Sequence, residues 1–265
     1  MLTAVDHLVI GVVDVSEAAE TYRNLGFAVT HRRDAAHVAF GDFYLEFSTG
    51  EATEASGAIR RIVLSTDDLD AEISRLESHG VPVSDPVDDP IDGPNGSLSR
   101  RSVVVDSIIP IGFVEHHHPA AERTAFVGGP AAHANTASNP ERIYVAVESI
   151  DRELATFEQV LGMPAPEPEM GTVIMSLMSV FYFGNIGLAV AEPRGAGPTS
   201  DALSANGPGV FQVLCRAEHL DVAERVMVDN GVPTPSRGTR LSGESALLVD
   251  PANACGLFVA LAGLP

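Results

Sequence analysis

Apolar and polar residues follow one arrangement that recurs four times along the chain. Each time, a run of β-branched and aliphatic residues precedes a short acidic or polar junction, then a segment with apolar residues at steps of three and four, then a glycine. The four instances lie at 7–27, 61–81, 142–163 and 212–232. The junction residue and the terminal glycine lie 12 residues apart in the first, second and fourth instances and 13 residues apart in the third. This spacing indicates an internal repeat.

The segments with steps of three and four are predicted to be helices of about three turns. Ser16, Asp68 and Ser149 are residue types that cap helix N-termini, and a glycine after the last turn favours the left-handed conformation that ends a helix. Further short β-rich runs follow each glycine, including Tyr44 to Ser48 and Ile111 to Glu115. Each repeat is therefore predicted to be a β-α-β-β-β unit.

A segment rich in alanine, glycine, proline and asparagine separates the second unit from the third and shows no sustained periodicity. We therefore expect an N-terminal pair of units at 1–118, a linker at 119–141 and a C-terminal pair at 142–265. The uncharged stretch at 171–191 is long enough to span a membrane. Its glycines and its aromatic and β-branched residues favour short strands instead.

The net charge and the cysteine count limit the classes of binding partner to be expected. The chain has 265 residues, of which 36 are acidic and 16 basic, and its formal net charge is −20. Because this charge would repel a nucleic-acid duplex, we expect no nucleic-acid partner. Two cysteines are too few for a disulfide framework, and the N-terminus lacks the basic region of a signal peptide, so a cytoplasmic protein with no membrane partner is expected. A homodimer is compatible with the sequence, because exposed edge strands can pair with those of a second copy.

Four such units, opening with DHLVIGV and closing on strands such as YLEF and IGFVE, resemble the vicinal oxygen chelate superfamily. The first half resembles its glyoxalase-like domains most closely. The resemblance implies an α+β fold in which the units pair into two cup-shaped mixed sheets, as in glyoxalases, bleomycin-resistance proteins and dioxygenases. It also implies a divalent metal held by the first and last strands of two paired units. Because this fold hosts many reactions as well as drug-binding proteins, function must be argued from the site.

In the first half, the resemblance places His7, Arg61, Glu46 and Glu115 at the four metal positions. A carboxylate within an apolar strand is costly unless it is paired or metal-bound, but Arg61 cannot bind a metal. Two alternatives remain open. Either Mn, Fe, Ni, Co or Zn is held by His7, Glu46 and Glu115, or no metal binds and Arg61 neutralises both glutamates. His117, two residues beyond Glu115, would replace the missing ligand if the strand continues.

In the second half, the same count gives Arg142, Ala189, Gln212 and Val259, which form no metal site. The C-terminal pair is therefore expected to support the first pair, to cover its cup, to form a dimer contact or to hold an apolar ligand.

Two functions follow as hypotheses. The first is a divalent-metal-dependent isomerase, epimerase or lyase acting on a small carbonyl or vicinal-oxygen substrate. In it, Glu46 or Glu115 transfers a proton, and Arg61 holds an anionic group or the developing oxyanion. The alternative is a non-catalytic protein that binds a drug or metabolite in the cup. Tyr44 and Phe113 are further candidates for substrate contacts. Of the neighbouring residues Arg100 and Arg101, Arg101 is the candidate.

Overall fold

A computed structural model of the protein describes residues 1–32, 34–49, 52–53, 57–58, 60–88, 90–93, 96–105, 107–126 and 132–263. The N-terminal half contains β1 (Leu2–Gly11), α1 (Val15–Asn24), β2 (Thr30–His31), β3 (Ala35–Phe40), β4 (Phe43–Ser48), β5 (Ala52–Thr53), β6 (Gly57–Ala58), β7 (Arg60–Thr66), α2 (Leu69–Ser78), β8 (Val87–Asp88), β9 (Ile91–Gly93), β10 (Gly96–Leu98), β11 (Arg100–Val105), β12 (Ile111–His116) and α3 (Ala120–Phe126).

The C-terminal half repeats this order of elements. It contains β13 (Ala137–Ala146), α4 (Ile150–Leu161), β14 (Glu169–Gly171), β15 (Ser176–Phe183), β16 (Ile186–Pro193), α5 (Pro198–Asn206), β17 (Gly209–Ala217), α6 (Leu220–Asp229), β18 (Ser236–Thr239), β19 (Ser245–Val249), a 3-10 turn (Pro251–Asn253) and β20 (Phe258–Gly263).

Each half builds one eight-stranded mixed sheet. The strand order is β2-β3-β4-β1-β7-β12-β11-β8 in the N-terminal sheet and β14-β15-β16-β13-β17-β20-β19-β18 in the C-terminal sheet. In both sheets the first strands of the two units pair antiparallel at the centre, and the last strand of each unit lies parallel to its own first strand. The predicted α+β fold of paired units in two mixed sheets is confirmed.

The helix boundaries follow local chemistry, with one change from the prediction. The residue that caps α1 is Asp14, whose carboxylate accepts hydrogen bonds from the backbone N–H groups of Ser16 and Glu17, so Ser16 lies inside the helix. Asp68 caps α2 as predicted. The glycine that ends α4, Gly162, has φ +68°, a value that residues with a Cβ rarely adopt.

The stretch at 171–191 forms strands, as predicted, and supplies most of β15 and β16. Among the described residues, the helices are all too short or too polar to cross a membrane. The segment predicted to be a linker is shorter than expected, because α3 and the first residues of β13 lie within it. Residues 127–131 of that segment lie outside the described part of the chain.

One hydrophobic core serves both halves. It contains one face of each sheet together with the apolar faces of the helices packed on them. Strand β1 contacts β15, and β7 contacts β17. At this boundary the buried guanidinium of Arg60 donates hydrogen bonds to the carbonyl oxygens of Val210 and Gly256. The opposite face of each sheet lines a cavity, which we call the N-terminal cup and the C-terminal cup.

Candidate functional site

The N-terminal cup is a cavity of about 240 Å³. Its walls come from the two central strands and from the strands that flank them. Titratable side chains concentrate here, whereas most side chains on the opposite face of the same sheet are apolar. The side chains of charged or titratable type that line this cavity are His7, Glu46, Arg61 and Arg100.

An irregularity in β1 joins Asp6 to His7. The pairing of β1 with β7 shifts by one residue between Val5 and His7, and a bulge of this kind lets two successive side chains reach the same region. The Asp6 carboxylate is buried and lies 2.7 Å from His7 Nδ1 and 2.6 Å from His116 Nε2. Ser65 donates a third hydrogen bond to Asp6.

These contacts set the ionisation state of Asp6 and the tautomer of His7. Burial would raise the pKa of Asp6, but the hydrogen bonds from His116 and His7 outweigh burial and hold the pKa well below its usual range. Because the carboxylate can only accept, the Nδ1 atom of His7 carries the shared proton. A neutral His7 therefore has its lone pair on Nε2, which makes no hydrogen bond to the described residues.

Glu46 is held in the cup by a second histidine. Its Oε2 atom lies 3.1 Å from Nε2 of His37, a residue of the neighbouring strand that is 2% exposed. Burial would raise the pKa of Glu46, but the hydrogen bond from His37 and the charges of His7 and Arg100 lower it to about 2. Burial lowers the pKa of His37 below its ordinary value. Glu46 is therefore an anion throughout the physiological pH range.

Positive charge and an aromatic ring complete the cup. Arg100 is buried and donates a hydrogen bond from Nη1 to the hydroxyl of Tyr44 at 3.2 Å. The Tyr44 ring stacks on the ring of His7, with centroids 4.6 Å apart and planes 6° apart. Burial raises the pKa of Tyr44 well above its usual value, so the phenol stays protonated. Arg61 contributes a second guanidinium to the wall.

Three residues predicted to line the cup lie on the opposite face of the sheet. In β12, Gly112 and Val114 line the cavity, whereas Phe113 is fully buried in the shared core. Side chains alternate along a strand, so Glu115 shares the face of Phe113. The same alternation places Arg101 there. Its guanidinium lies 3.0 Å from a carboxylate oxygen of Asp70 on α2 and 3.8 Å from Glu115.

The strand register shows which residues occupy equivalent positions in the two units. Val9 pairs with Arg61 on one side and with Glu46 on the other. Val63, its counterpart in the second unit, pairs with His7 and with Gly112. His7 therefore corresponds to Arg61, and Glu46 corresponds to Gly112. The position predicted for Glu115 is occupied by a glycine, and Glu115 is not part of the cup.

The donor set does not fit a resident divalent metal. Of the four equivalent positions, only His7 and Glu46 carry ligand atoms. His117 does not replace a ligand, because β12 ends at His116 and the exposed His117 ring lies 3.0 Å from the Ser99 hydroxyl. Within the described ranges, no group of three or more His, Cys, Asp or Glu residues has the geometry to hold an ion. A guanidinium at one of the positions would also repel a cation.

Four residues of this network did not enter the predicted site, namely Asp6, His37, Arg100 and His116. Asp6 stands beside His7 in the sequence, but regular alternation would have placed it on the other face. His37 precedes Glu46 by nine residues and meets it only through the pairing of β3 with β4. Arg100 and Arg101 are neighbours of the same residue type, and only the phase of β11 shows that Arg100 is the one that lines the cup.

In the C-terminal sheet, the strand register gives the residues at the four equivalent positions. Ala189 and Gln212 lie at the positions inferred from the sequence, together with Arg142. The fourth position lies one residue from the predicted one, because Val259 faces the shared core and Ala260 lines the C-terminal cup. None of these side chains is a strong metal ligand.

Comparison with known proteins agrees with this architecture. Residues 4–98 match the model of the Glyoxalase/Bleomycin resistance protein/Dioxygenase superfamily. A sequence comparison with curated proteins gave no match. Among solved structures, a triple mutant of 4-hydroxymandelate synthase from Streptomyces coelicolor superimposes with a TM-score of 0.67 at 17% identity, covering 99% of this chain and 93% of that one.

Two further structures share the fold over the whole chain. A hypothetical protein from Staphylococcus aureus gives a TM-score of 0.65 at 12% identity, with 100% of both chains covered. A xylose isomerase-like TIM barrel/4-hydroxyphenylpyruvate dioxygenase fusion protein gives 0.66 at 13% identity, covering 99% of this chain and 49% of the fusion. At these identities the likeness concerns the fold alone. Residues 4–98 therefore form a domain of the Glyoxalase/Bleomycin resistance protein/Dioxygenase superfamily, the vicinal oxygen chelate superfamily, and the chain as a whole shares the fold of these solved structures.

Proposed function

We propose that the N-terminal cup binds a small, oxygen-rich carboxylate, of the 2-oxo or 2-hydroxy acid type, without a resident metal. The observation that carries this proposal is that Arg61 and Arg100 line the same cavity as His7 and Glu46. A guanidinium matches the geometry of a carboxylate and binds it with two parallel hydrogen bonds. A neighbouring hydroxyl group on such a ligand would donate a hydrogen bond to Nε2 of His7.

The sequence-based hypothesis of a divalent-metal-dependent isomerase, epimerase or lyase has weaker support. It required three protein ligands, and Glu115 lies on the other face of the sheet. Elemental analysis of protein purified without a His-tag column tests this point. We expect well below one equivalent of Mn, Fe, Ni, Co or Zn. Detection of one equivalent of metal in the wild-type protein, together with its loss in Glu46→Gln, would overturn the metal-free proposal.

Titration calorimetry with pyruvate, lactate and malonate tests anion binding. Loss of a charge-assisted hydrogen bond costs about 1.5 to 3 kcal/mol, so Arg100→Met and Arg61→Met are each expected to weaken binding by about 10-fold to 100-fold. Arg101→Met is the matched control, because Arg101 is adjacent in sequence and faces away from the cup. Equal affinities in all three variants, with folding verified by circular dichroism, would exclude this cup as the site.

A second candidate function, proton transfer at carbon, is favoured by the contact between Asp6 and His7. A neutral His7 oriented by a buried carboxylate is suited to act as a general base through Nε2. Arg61 and Arg100 would then stabilise the oxyanion of an enolate formed from the bound carboxylate. An isomerase or epimerase is the class of enzyme that such chemistry serves.

Exchange of the ligand C–H hydrogens in D₂O, followed by proton NMR, separates catalysis from binding. For an enzyme we expect exchange that His7→Asn abolishes and that Asp6→Asn slows, because the second variant keeps the His7 base and removes the carboxylate that orients it. His31→Asn on the exposed edge strand β2 is the control. Saturable binding without exchange would identify a non-catalytic binding protein, the alternative function drawn from the sequence.

A further inference from the structure

The C-terminal cup is a second cavity, of about 290 Å³, on the face of the C-terminal sheet that points away from the shared core. Its surroundings form a hydrophobic cluster separate from that core. Small side chains leave the space open, since Ala246 and Ala260 line the cavity together with the larger Met178 and Leu214. Met170 and Leu241 stand at the wall with 43% and 73% of their surfaces exposed.

One polar group in this apolar cavity lacks a partner. Gln212, at the middle of β17, is 2% exposed, and its Oε1 atom is buried without a hydrogen bond among the described residues. An unsatisfied buried polar atom costs about 1 to 3 kcal/mol, and native proteins seldom retain one without a reason. Gln212 Oε1 is therefore placed to accept a hydrogen bond from a bound molecule.

The charges around the C-terminal cup are balanced within the protein. Arg142 lies 3.5 Å from the carboxylate of Glu169 and donates to the Tyr182 hydroxyl. Arg240 pairs with Glu141 and with Glu244. Because each guanidinium already faces a carboxylate, an ionic ligand would meet no unbalanced charge.

We propose that the C-terminal cup binds an uncharged, mainly apolar molecule through a single hydrogen-bonding group that meets Gln212. The alanine-lined cavity receives the apolar body by the hydrophobic effect. A hydroxyl or N–H group on the ligand donates to Gln212 Oε1 and removes the cost of leaving it unsatisfied. This site is independent of the carboxylate site proposed for the N-terminal cup.

Fluorescence titration with N-phenyl-1-naphthylamine tests the proposal, because this neutral probe is apolar, has one N–H donor and brightens in an apolar site. We expect saturable binding at one equivalent. Ala260→Leu fills the cavity and is expected to abolish binding, and Ala246→Val, a smaller change, is expected to weaken it. Thermal melts and circular dichroism verify that each variant is folded.

Competition by 1-naphthol and by naphthalene isolates the role of Gln212. In Gln212→Leu the affinity for 1-naphthol is expected to fall about tenfold while that for naphthalene is unchanged. Gln159→Leu is the control, because Gln159 is the exposed glutamine of α4. Absence of saturable binding, or binding that the folded alanine variants leave unchanged, would overturn the site. An equal loss of affinity for 1-naphthol and for naphthalene in Gln212→Leu would overturn the proposed hydrogen bond.

Discussion

Replacing Glu46 by glutamine is expected to destabilise the protein at neutral pH by an amount set by the pKa of this carboxyl. The pKa is lowered from an unperturbed value of 4.5 to about 2, with His37 as the hydrogen-bond donor. At about 1.4 kcal/mol for each pH unit, the folded state gains about 3 kcal/mol at pH 7 from holding the ionised form. The Glu46 side chain is 20% exposed, so solvent screening is modest.

The sign of the pH dependence follows from the direction of the shift. Because the folded pKa lies below the unfolded one, the stabilisation is complete above pH 4.5 and is lost as the pH falls toward 2. Urea unfolding at pH 6 is expected to show wild type about 3 kcal/mol more stable than Glu46→Gln. At pH 3.5 the difference is expected to narrow to about 2 kcal/mol.

The exposed Glu20 on α1 offers a matched control, because Glu20→Gln removes the same charge from a solvated position. That variant is expected to unfold within about 0.5 kcal/mol of wild type at both pH values. A deficit below about 1 kcal/mol for Glu46→Gln at pH 6 would refute the reasoning. So would a deficit that stays constant between pH 6 and pH 3.5.

Three further predictions test the register, the contact between the halves and the helix caps. Arg61→His combined with Gly112→Glu is expected to create a site for one equivalent of Ni²⁺ or Zn²⁺ by calorimetry, because both substituted positions face the cup; no gain in affinity would contradict the register. Arg60→Met is expected to lower the free energy of unfolding in urea by about 2 to 3 kcal/mol, because two carbonyl groups of the C-terminal half lose their donor, and a change below about 0.5 kcal/mol would contradict this. Asp68→Ala is expected to lower the free energy of unfolding in urea by about 1 kcal/mol, because the N-terminal cap of α2 is lost. An equal effect of Asp67→Ala would contradict the capping role of Asp68.

Local signals were sufficient to predict the four units. A cap residue such as Asp68 and a terminal glycine such as Gly162 act on backbone groups a few residues away, so their spacing alone defines each helix. The first strands of the units end at those helices, and counting back from the junction therefore placed His7 and Arg61 correctly on the face of the cup.

The last strands of the second and fourth units have no such anchor, and there the predicted site position was displaced by an odd number of residues, three for Glu115 and one for Val259. A one-residue change of phase moves every side chain of a strand to the other face. Pairing of β12 with β7 turns Gly112 toward the cup and Glu115 toward α2. The phase of β11 likewise selects Arg100 over Arg101.

The sequence by itself determined the repeat and the fold class, because both depend on local periodicity. Only the tertiary structure decided which charges share a cup. The bulge at Asp6, the contact of His37 with Glu46 and the unsatisfied amide of Gln212 arise from pairing between strands distant along the chain. Such pairing depends on packing of the whole sheet against the shared core, which no local pattern encodes.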